Sequence, residues 1–145
     1  MWQVRSFEEL DVATLEEIYR LRTSVFVVEQ ECPYQEVDGR DPECTHIYKK
    51  DESGIAAYLR IVPGKPIAIG RVIVRKDHRK KGLGKALMEQ AMHYVGKVHP
   101  GEKVYLHGQA HLERFYQQFG FKKTSEVHLE DGIPHIDMTY QTDQA

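Results

Sequence analysis

Seven consecutive residues, RKKGLGK at positions 79–85, combine four cationic side chains with two glycines one residue apart. They follow an apolar run, IAIGRVIV at 67–74, and precede a sequence with helical periodicity. The first turn of a helix carries unpaired N–H groups and the positive end of the helix dipole, so it attracts anions. Glycines also let the backbone approach a ligand closely. The pattern therefore predicts a binding site for a polyphosphate.

Two better-known phosphate-binding sequences do not fit this stretch. A P-loop requires GxxxxGK followed by Ser or Thr, and the chain contains no such string. A dinucleotide-binding fingerprint requires GxGxxG, but Leu87 stands where the third glycine belongs. What remains is the pattern RxxGxG, formed by Arg79, Gly82 and Gly84.

The elements that must position this loop follow from hydrophobic periodicity and turn residues. Apolar runs separated by the turn signals DESG and PGKP predict three antiparallel strands at 46–50, 55–62 and 67–74. A helical pattern runs from Lys81 onward, and Gly96 together with HPGE near Pro100 is predicted to end it.

The C-terminal part continues with a strand at 103–108 and a short amphipathic helix at 112–121. Alternating residues on both sides of EDG at 130–132 then predict a closing hairpin. Strands punctuated by a few helices indicate one α+β domain over residues 1–145, built around a mostly antiparallel sheet.

The N-terminal part is predicted to add a strand, with alternating Trp2, Val4 and Phe7, and one helix. The residues TLEE at 14–17 have the form of a capping box that opens this helix, and apolar spacing extends it to about Val25.

A long loop from Glu29 to Glu43 follows, with six acidic residues and two prolines. Long ordered loops in compact domains are often functional. Two interpretations remain open, because the acids could attract a cationic substrate or could simply keep the loop solvated.

Bulk properties narrow the class of protein. A net charge of −2 over 145 residues gives no footprint for binding nucleic acid. No apolar run approaches the roughly 20 residues needed to cross a bilayer, and the N-terminus does not resemble a signal peptide, so we expect a cytoplasmic protein. Cys32 and Cys44 match no metal-binding spacing and are expected to be reduced thiols without a catalytic role.

The pattern RxxGxG after IVRKDH, the order of elements and FYQQFGF at 115–121 together resemble the GNAT superfamily of acyltransferases. The segments RTSVFVVEQECPYQEVDGRD, HGQAHLERFYQQFGF and EDGIPHIDM are similar, more narrowly, to its ElaA-like branch. The resemblance covers almost the whole chain. It implies the GNAT fold, a mixed and mostly antiparallel sheet flanked by helices, and an N-acetyltransferase that uses acetyl-CoA.

Carried over to this chain, the resemblance implies a role for each matching position. Ile73 and Val74 would pair their backbone with the pantetheine arm of the coenzyme, and the N–H of Val74 would face the thioester carbonyl. Tyr116 would lie beside the coenzyme sulfur and act as general acid. The pyrophosphate would be bound by Arg79, Lys80, Lys81, Gly82, Leu83, Gly84 and Lys85.

Acetyl transfer also requires a neutral amine, whereas a free alkylamine is mostly protonated at pH 7. The leading candidates for the base are Glu29 and His107, and His46 and His135 are further candidates because histidine titrates near neutral pH. Direct transfer between two bound substrates needs no metal and no nucleophilic cysteine.

The sequence does not identify the acceptor beyond an amine of a small molecule or peptide, and it allows a homodimer. Two other functions remain open. The chain could be a catalytically silent sensor of acyl-CoA, or an interaction module on the same fold.

Overall fold

Eight strands form one sheet in the computed structural model, which describes residues 1–143 of the chain. The strands are β1 (Trp2–Ser6), β2 (Thr45–Asp51), β3 (Gly54–Val62), β4 (Ile67–Val74), β5 (Lys103–Gln109), β6 (Lys122–Lys123), β7 (His128–Glu130) and β8 (Ile133–Gln141). Their order is β1-β2-β3-β4-β5-β8-β6, and β7 also pairs with β8. The β4–β5 pair is parallel and the other pairs are antiparallel. The predicted α+β class, with a mixed and mostly antiparallel sheet, is confirmed.

Three α-helices accompany the sheet: α1 (Val12–Arg22), α2 (Leu83–Val98) and α3 (Glu113–Gln117). Helix α2 supplies the main apolar face, and it ends at Val98, within the predicted range from Gly96 to Pro100. Its side chains pack against the strands, and burying one Leu or Met side chain contributes roughly 1.5–3 kcal/mol. The fully buried residues of α2 are Leu87, Met88, Ala91 and Val95.

The start and end of α1 differ from the sequence prediction. Asp11 is the N-cap, because its side chain accepts a hydrogen bond of 2.7 Å from the N–H of Thr14. The predicted capping box, with Thr14 as the cap, is therefore wrong. The α-helix ends at Arg22, and the chain continues as a π-helical segment from Thr23 to Glu29.

The predicted helix at 112–121 is also shorter than expected. A 3₁₀ turn covers Ala110–Leu112, and α3 ends at Gln117. Gly120, with φ of +97°, then reverses the chain toward β6. A side chain at Gly120 would be strained by this φ and would also meet the ring of Tyr140 at 2.9 Å.

Two of the six acids of the long loop, Glu36 and Asp41, are buried and fit neither interpretation, the side chain of Asp38 is half-buried beside them, and the other three are exposed. Arg22 is completely buried and donates hydrogen bonds to Glu36 at 2.9 Å and to Asp41 at 2.6 Å. Arg60 pairs with both Asp38 and Asp41. We call these buried and half-buried ion pairs the arginine cluster, formed by Arg22, Glu36, Asp38, Asp41, Arg60 and Arg71.

Strands β4 and β5 separate halfway along their length. Their pairing covers Ile67–Ile69 against Val104–Leu106 and stops there, although both strands continue. A bulge in β4 accompanies the separation: Tyr58 faces Ile73 but Arg60 faces Gly70, so β4 uses one more residue than β3. Arg71 lies in the bulge with a left-handed φ of +54°. From Gly70 onward, the edge of β4 that faces β5 is therefore open.

None of the helices found between residues 1 and 143 is both long and apolar enough to span a bilayer.

Candidate active site

A cavity of about 240 Å³ lies where β4 and β5 separate. Its walls come from the open edge of β4, the end of β5, the helical region of Tyr116 and the β7–β8 hairpin. A further side of the cavity is closed by three residues of the long loop, Gln30, Cys32 and Tyr34. The cavity therefore exists because β4 and β5 separate at this point.

The open edge of β4 presents backbone groups to this split. The N–H of Arg75 donates to the carbonyl of Ala56 on β3 at 2.8 Å, and neighbouring residues of a strand point their backbone groups in opposite directions. The backbone of Val74 therefore faces the split, which agrees with its carbonyl accepting a 2.9 Å hydrogen bond from Nε of Arg79.

Val72, two residues before Val74, faces the same way by this alternation and lines the cavity itself. Ile73 points its backbone groups toward β3, where it pairs with Tyr58. The geometry thus favours Val72 together with Val74 as the donors at the split. Sequence reasoning missed Val72, although the period-2 alternation of a strand could have indicated it.

The stretch RKKGLGK forms the turn between β4 and α2. Gly82 is the N-cap of α2 with φ of +82°, and a Cβ built there would meet no atom within 4 Å. The first N–H groups of a helix have no partner within the helix, so those at the start of α2 point into this space. Lys80, Lys81 and Lys85 are exposed around it. Backbone donors, open space and positive charge fit the pyrophosphate of a coenzyme.

Arg79 is used differently from its lysine neighbours. Its guanidinium makes two hydrogen bonds to the carboxylate of Glu29, at 2.7 and 3.1 Å, in addition to the bond to Val74. These contacts tie the end of the π-helical segment to the end of β4. The hydrogen bond from Arg79 is the main reason that the pKa of Glu29 is lowered. Glu29 is not among the residues that line the cavity.

Tyr116 projects into the split from α3. Burial raises the pKa of its phenol to about 12. Its hydroxyl has no hydrogen-bond partner within residues 1–143, although Tyr116 lines the cavity. Gly108 makes room for this ring, since a Cβ there would lie 2.9 Å from Cε2 of Tyr116. Phe115 points elsewhere, toward Gly84 at the start of α2.

His107 lies on β5 and lines the cavity together with residues of β4. Its Nδ1 is 2.9 Å from Oδ1 of Asp137, which also accepts a 2.7 Å hydrogen bond from the hydroxyl of Tyr105. The hydrogen bond from His107 is the main cause of the lowered pKa of Asp137. A carboxylate at Nδ1 fixes the tautomer and leaves Nε2 as an acceptor. His135 stacks on His107, with ring centroids 4.7 Å apart.

The four candidates for the base are therefore not together. His107 and His135 line the cavity, whereas Glu29 is paired with Arg79 outside it. His46 is completely buried, with Nδ1 at 2.6 Å from the hydroxyl of Tyr58 and Nε2 at 3.1 Å from the carbonyl of Asp41. Burial lowers the pKa of His46, whose contacts belong to the interior.

Comparisons with known proteins agree with the fold described above. A family model described as an acetyltransferase (GNAT) domain matches residues 9–142. The protein ElaA of Escherichia coli is 44% identical over 152 aligned positions, covering 99% of this chain and 98% of ElaA. A UPF0039 protein of Schizosaccharomyces pombe is also 44% identical, covering 91% of each chain.

Solved structures show the same architecture. The crystal structure of E. coli ElaA superposes with a TM-score of 0.93 at 43% identity, covering 97% of this chain and 99% of that one. An acyl-CoA N-acyltransferase from Pseudomonas aeruginosa superposes with a TM-score of 0.92 at 40% identity, with the same coverage.

Proposed function

The chain belongs to the GNAT acetyltransferase family and to its ElaA-like branch, and we propose that it moves an acetyl group from acetyl-CoA directly to a primary amine. The fold is the GNAT fold, and the protein is an acyltransferase. One observation carries the finer proposal: Tyr116, whose hydroxyl makes no hydrogen bond within residues 1–143, lines the same cavity as Val72 of β4 and His107 of β5.

The coenzyme would bind along the β4 side of the split. Its pyrophosphate would accept hydrogen bonds at the start of α2, from the loop of residues 79–85, with the exposed lysines adding positive charge. The pantetheine arm would follow β4 as an added strand beside residues 72–74. An N–H of Val72 or Val74 would then donate to the thioester oxygen, which becomes more negative as the reaction proceeds.

Transfer would proceed by attack of the amine nitrogen on the thioester carbon. The new C–N bond forms, the C–S bond breaks, and the coenzyme leaves as a thiolate. Tyr116 would donate a hydrogen bond or its proton to that sulfur. The phenol is protonated at neutral pH, and its raised pKa favours donation of a hydrogen bond to the sulfur over complete transfer of the proton.

The amine must also lose a proton. His107 is the better candidate for the base, because it lines the cavity with Nε2 free and Nδ1 held by Asp137. Glu29 is the weaker candidate, because its carboxylate is already engaged by Arg79. His135 remains the alternative on the same wall of the cavity.

A titration followed by a turnover assay tests this function. Calorimetry should show saturable binding of acetyl-CoA and coenzyme A but not of NAD. Free thiol should then appear when acetyl-CoA is mixed with an amine from a panel containing a polyamine, an aminoglycoside and a lysine peptide. Coenzyme binding without thiol release for any amine would favour the silent sensor, and the absence of coenzyme binding would refute the proposal.

A further inference from the structure

Five polar residues project from the same face of three adjacent strands, on the side of the cavity opposite β4. We call this the acceptor side, because the coenzyme is proposed to bind along β4. His107 on β5 pairs with Asp137 on β8, and His128 on β7 pairs with His135 on β8. Directly paired residues share a face, as do residues two apart on one strand. Asp137 and His135 are two apart, and so are His128 and Glu130, so the register places all five on one face.

All three imidazoles of this face are oriented in the same manner. Each has its Nδ1 within hydrogen-bond distance of an oxygen that can only accept. These oxygens are Oδ1 of Asp137 for His107 at 2.9 Å, the carbonyl of Glu126 for His128 at 3.2 Å, and the carbonyl of Ile133 for His135 at 2.7 Å. Each Nδ1 therefore donates, and each Nε2 carries a free lone pair. An Nδ1–H bound to a carboxylate or carbonyl is the arrangement that orients histidine ligands of metals.

Two of these lone pairs converge with a carboxylate. Nε2 of His107 is 3.9 Å from Oε1 of Glu130, and Nε2 of His128 is 3.6 Å from the same atom. The three ligand atoms all lie within 4.8 Å of one another. Zn²⁺ with bonds of about 2.0–2.1 Å spaces tetrahedral ligands roughly 3.4 Å apart. Small side-chain movements are enough to reach that spacing, because His128 and Glu130 are both partly exposed on a short strand.

We propose that His107, His128 and Glu130 form a binding site for Zn²⁺ at the acceptor side of the cavity. Two histidines and one carboxylate are a known ligand set for zinc sites that keep a coordination position open. Imidazole ligands favour zinc and its transition-metal neighbours over Mg²⁺ or Ca²⁺, which prefer oxygen. The site adjoins the cavity, because His107 and Glu130 both line it.

A second group with suitable spacing, Asp51, Asp77 and His78, is a weaker candidate. The guanidinium of Arg75 contacts both of its carboxylates. A positive charge at that position competes with a metal ion for the same oxygens. This group therefore provides the natural internal control.

Occupancy by Zn²⁺ has a consequence that rests on the proposed function. A metal bound to Nε2 of His107 occupies the lone pair that would accept the proton of the amine. Zn²⁺ would thus inhibit acetyl transfer while leaving the β4 side of the split free to bind coenzyme.

The binding experiment uses the full-length, tag-free protein and Zn²⁺ alone, titrated by calorimetry. We expect one Zn²⁺ per chain, with affinity reduced at least about tenfold in His128→Ala and in Glu130→Gln, and by about 10–100-fold in Asp137→Asn, which removes the orienting carboxylate. The matched control His78→Ala should bind like the original protein. Absence of Zn²⁺ binding, or binding lost in His78→Ala and kept in His128→Ala, would overturn the proposal.

A turnover experiment separates this site from the proposed function. Acetyl transfer by the original protein should fall as Zn²⁺ is added, whereas transfer by His128→Ala should be normal without Zn²⁺ and insensitive to it. Equal inhibition of both proteins would refute the inhibitory role, since zinc would then act elsewhere. If no acetyl transfer is found at all, the proposed function fails, but the calorimetric titration still decides whether the zinc site exists.

Discussion

On the β4 side of the split, the groups available for binding belong largely to the backbone of one stretch of chain, at Val72, at Val74 and in the first turn of α2. On the β5 side, they are side chains of His107, His128 and Glu130, which strand register brings together from three strands. The two sides thus respond to mutation differently. A backbone site depends on conformation and tolerates most side-chain changes, whereas a side-chain site can be altered by one substitution without moving the chain.

The largest effect should come from changing the conformation on the β4 side. In Gly82→Val, a β-branched residue is forced to a φ of +82°, and its side chain enters the space in front of α2. We expect calorimetric binding of acetyl-CoA to fall by at least about 100-fold, or roughly 2.7 kcal/mol, with an unchanged circular dichroism spectrum.

Gly39→Val is the matched control for this prediction. Gly39 has nearly the same φ, +83°, and equally open surroundings, but it lies in the long loop. It should suffer the same backbone strain and retain coenzyme affinity. Equal loss in both variants would mean that strain, and not the position at the start of α2, weakens binding.

Tyr116→Phe tests the point where the two sides meet. Removing the phenol oxygen leaves the packing of the ring intact, so the affinity for acetyl-CoA should change less than about threefold. Turnover should fall by about 10²–10⁴-fold, the usual contribution of a general acid. Steady-state thiol release and calorimetry measure the two quantities separately, and unchanged turnover would remove Tyr116 as the acid.

A pair of variants compares the two candidates for the base. His107→Gln removes the free Nε2 and should lower turnover by about 100-fold with little effect on coenzyme affinity. Glu29→Gln weakens the contact with Arg79 and should lower coenzyme affinity by no more than about tenfold, with nearly normal turnover at saturation. The reverse pattern in a kcat and KM comparison would make Glu29 the base.

The smallest effect concerns the stability of the loop that closes the cavity. The hydrogen bonds from Arg60 are the main reason that the pKa of Asp38 is lowered well below its ordinary range. The ion pair thus contributes stability above the unfolded pKa of about 3.8–3.9, and this contribution disappears as pH falls toward the lower folded pKa. Asp38→Asn should cost about 1–2 kcal/mol of unfolding free energy at pH 7.

Urea unfolding at several pH values checks this expectation. The difference between the original protein and Asp38→Asn should be constant from pH 7 to about pH 5 and should shrink below about pH 4. The exposed Glu52, which has no ion pair within residues 1–143, provides the control variant Glu52→Gln. A difference that grows toward low pH would mean that Asp38 is not held in its charged form.

Features carried by neighbouring residues could be predicted from the sequence. The strand at 67–74 was predicted with its observed ends, and the cationic glycine stretch forms the observed turn before α2. Features that depend on distant pairing were missed. The bulge at Arg71 requires knowing how β4 aligns with β3, and the ion pairs of Glu36 and Asp41 require knowing that Arg22 is buried.

The grouping of His107, His128 and His135 on one face of the sheet was missed for the same reason. His107 and His135 were considered separately as bases, but nothing in their spacing places His128 beside them. The register of the β7–β8 hairpin does so, through the two turn residues Asp131 and Gly132, both at positive φ. A one-residue slip in that hairpin would move His128 and Glu130 to the opposite face.

Within the long loop, the residues that form ion pairs in the arginine cluster differ from the residues that line the cavity. The carboxylates of the cluster hold the loop from beneath, while Gln30, Cys32 and Tyr34 reach the cavity and belong to none of its ion pairs. Arg71 is the exception, because it pairs with Glu36 and also lines the cavity beside Tyr34. New acceptor selectivity can be engineered or evolve at Gln30, Cys32 and Tyr34, on a loop whose geometry is held mainly by ion pairs outside the cavity.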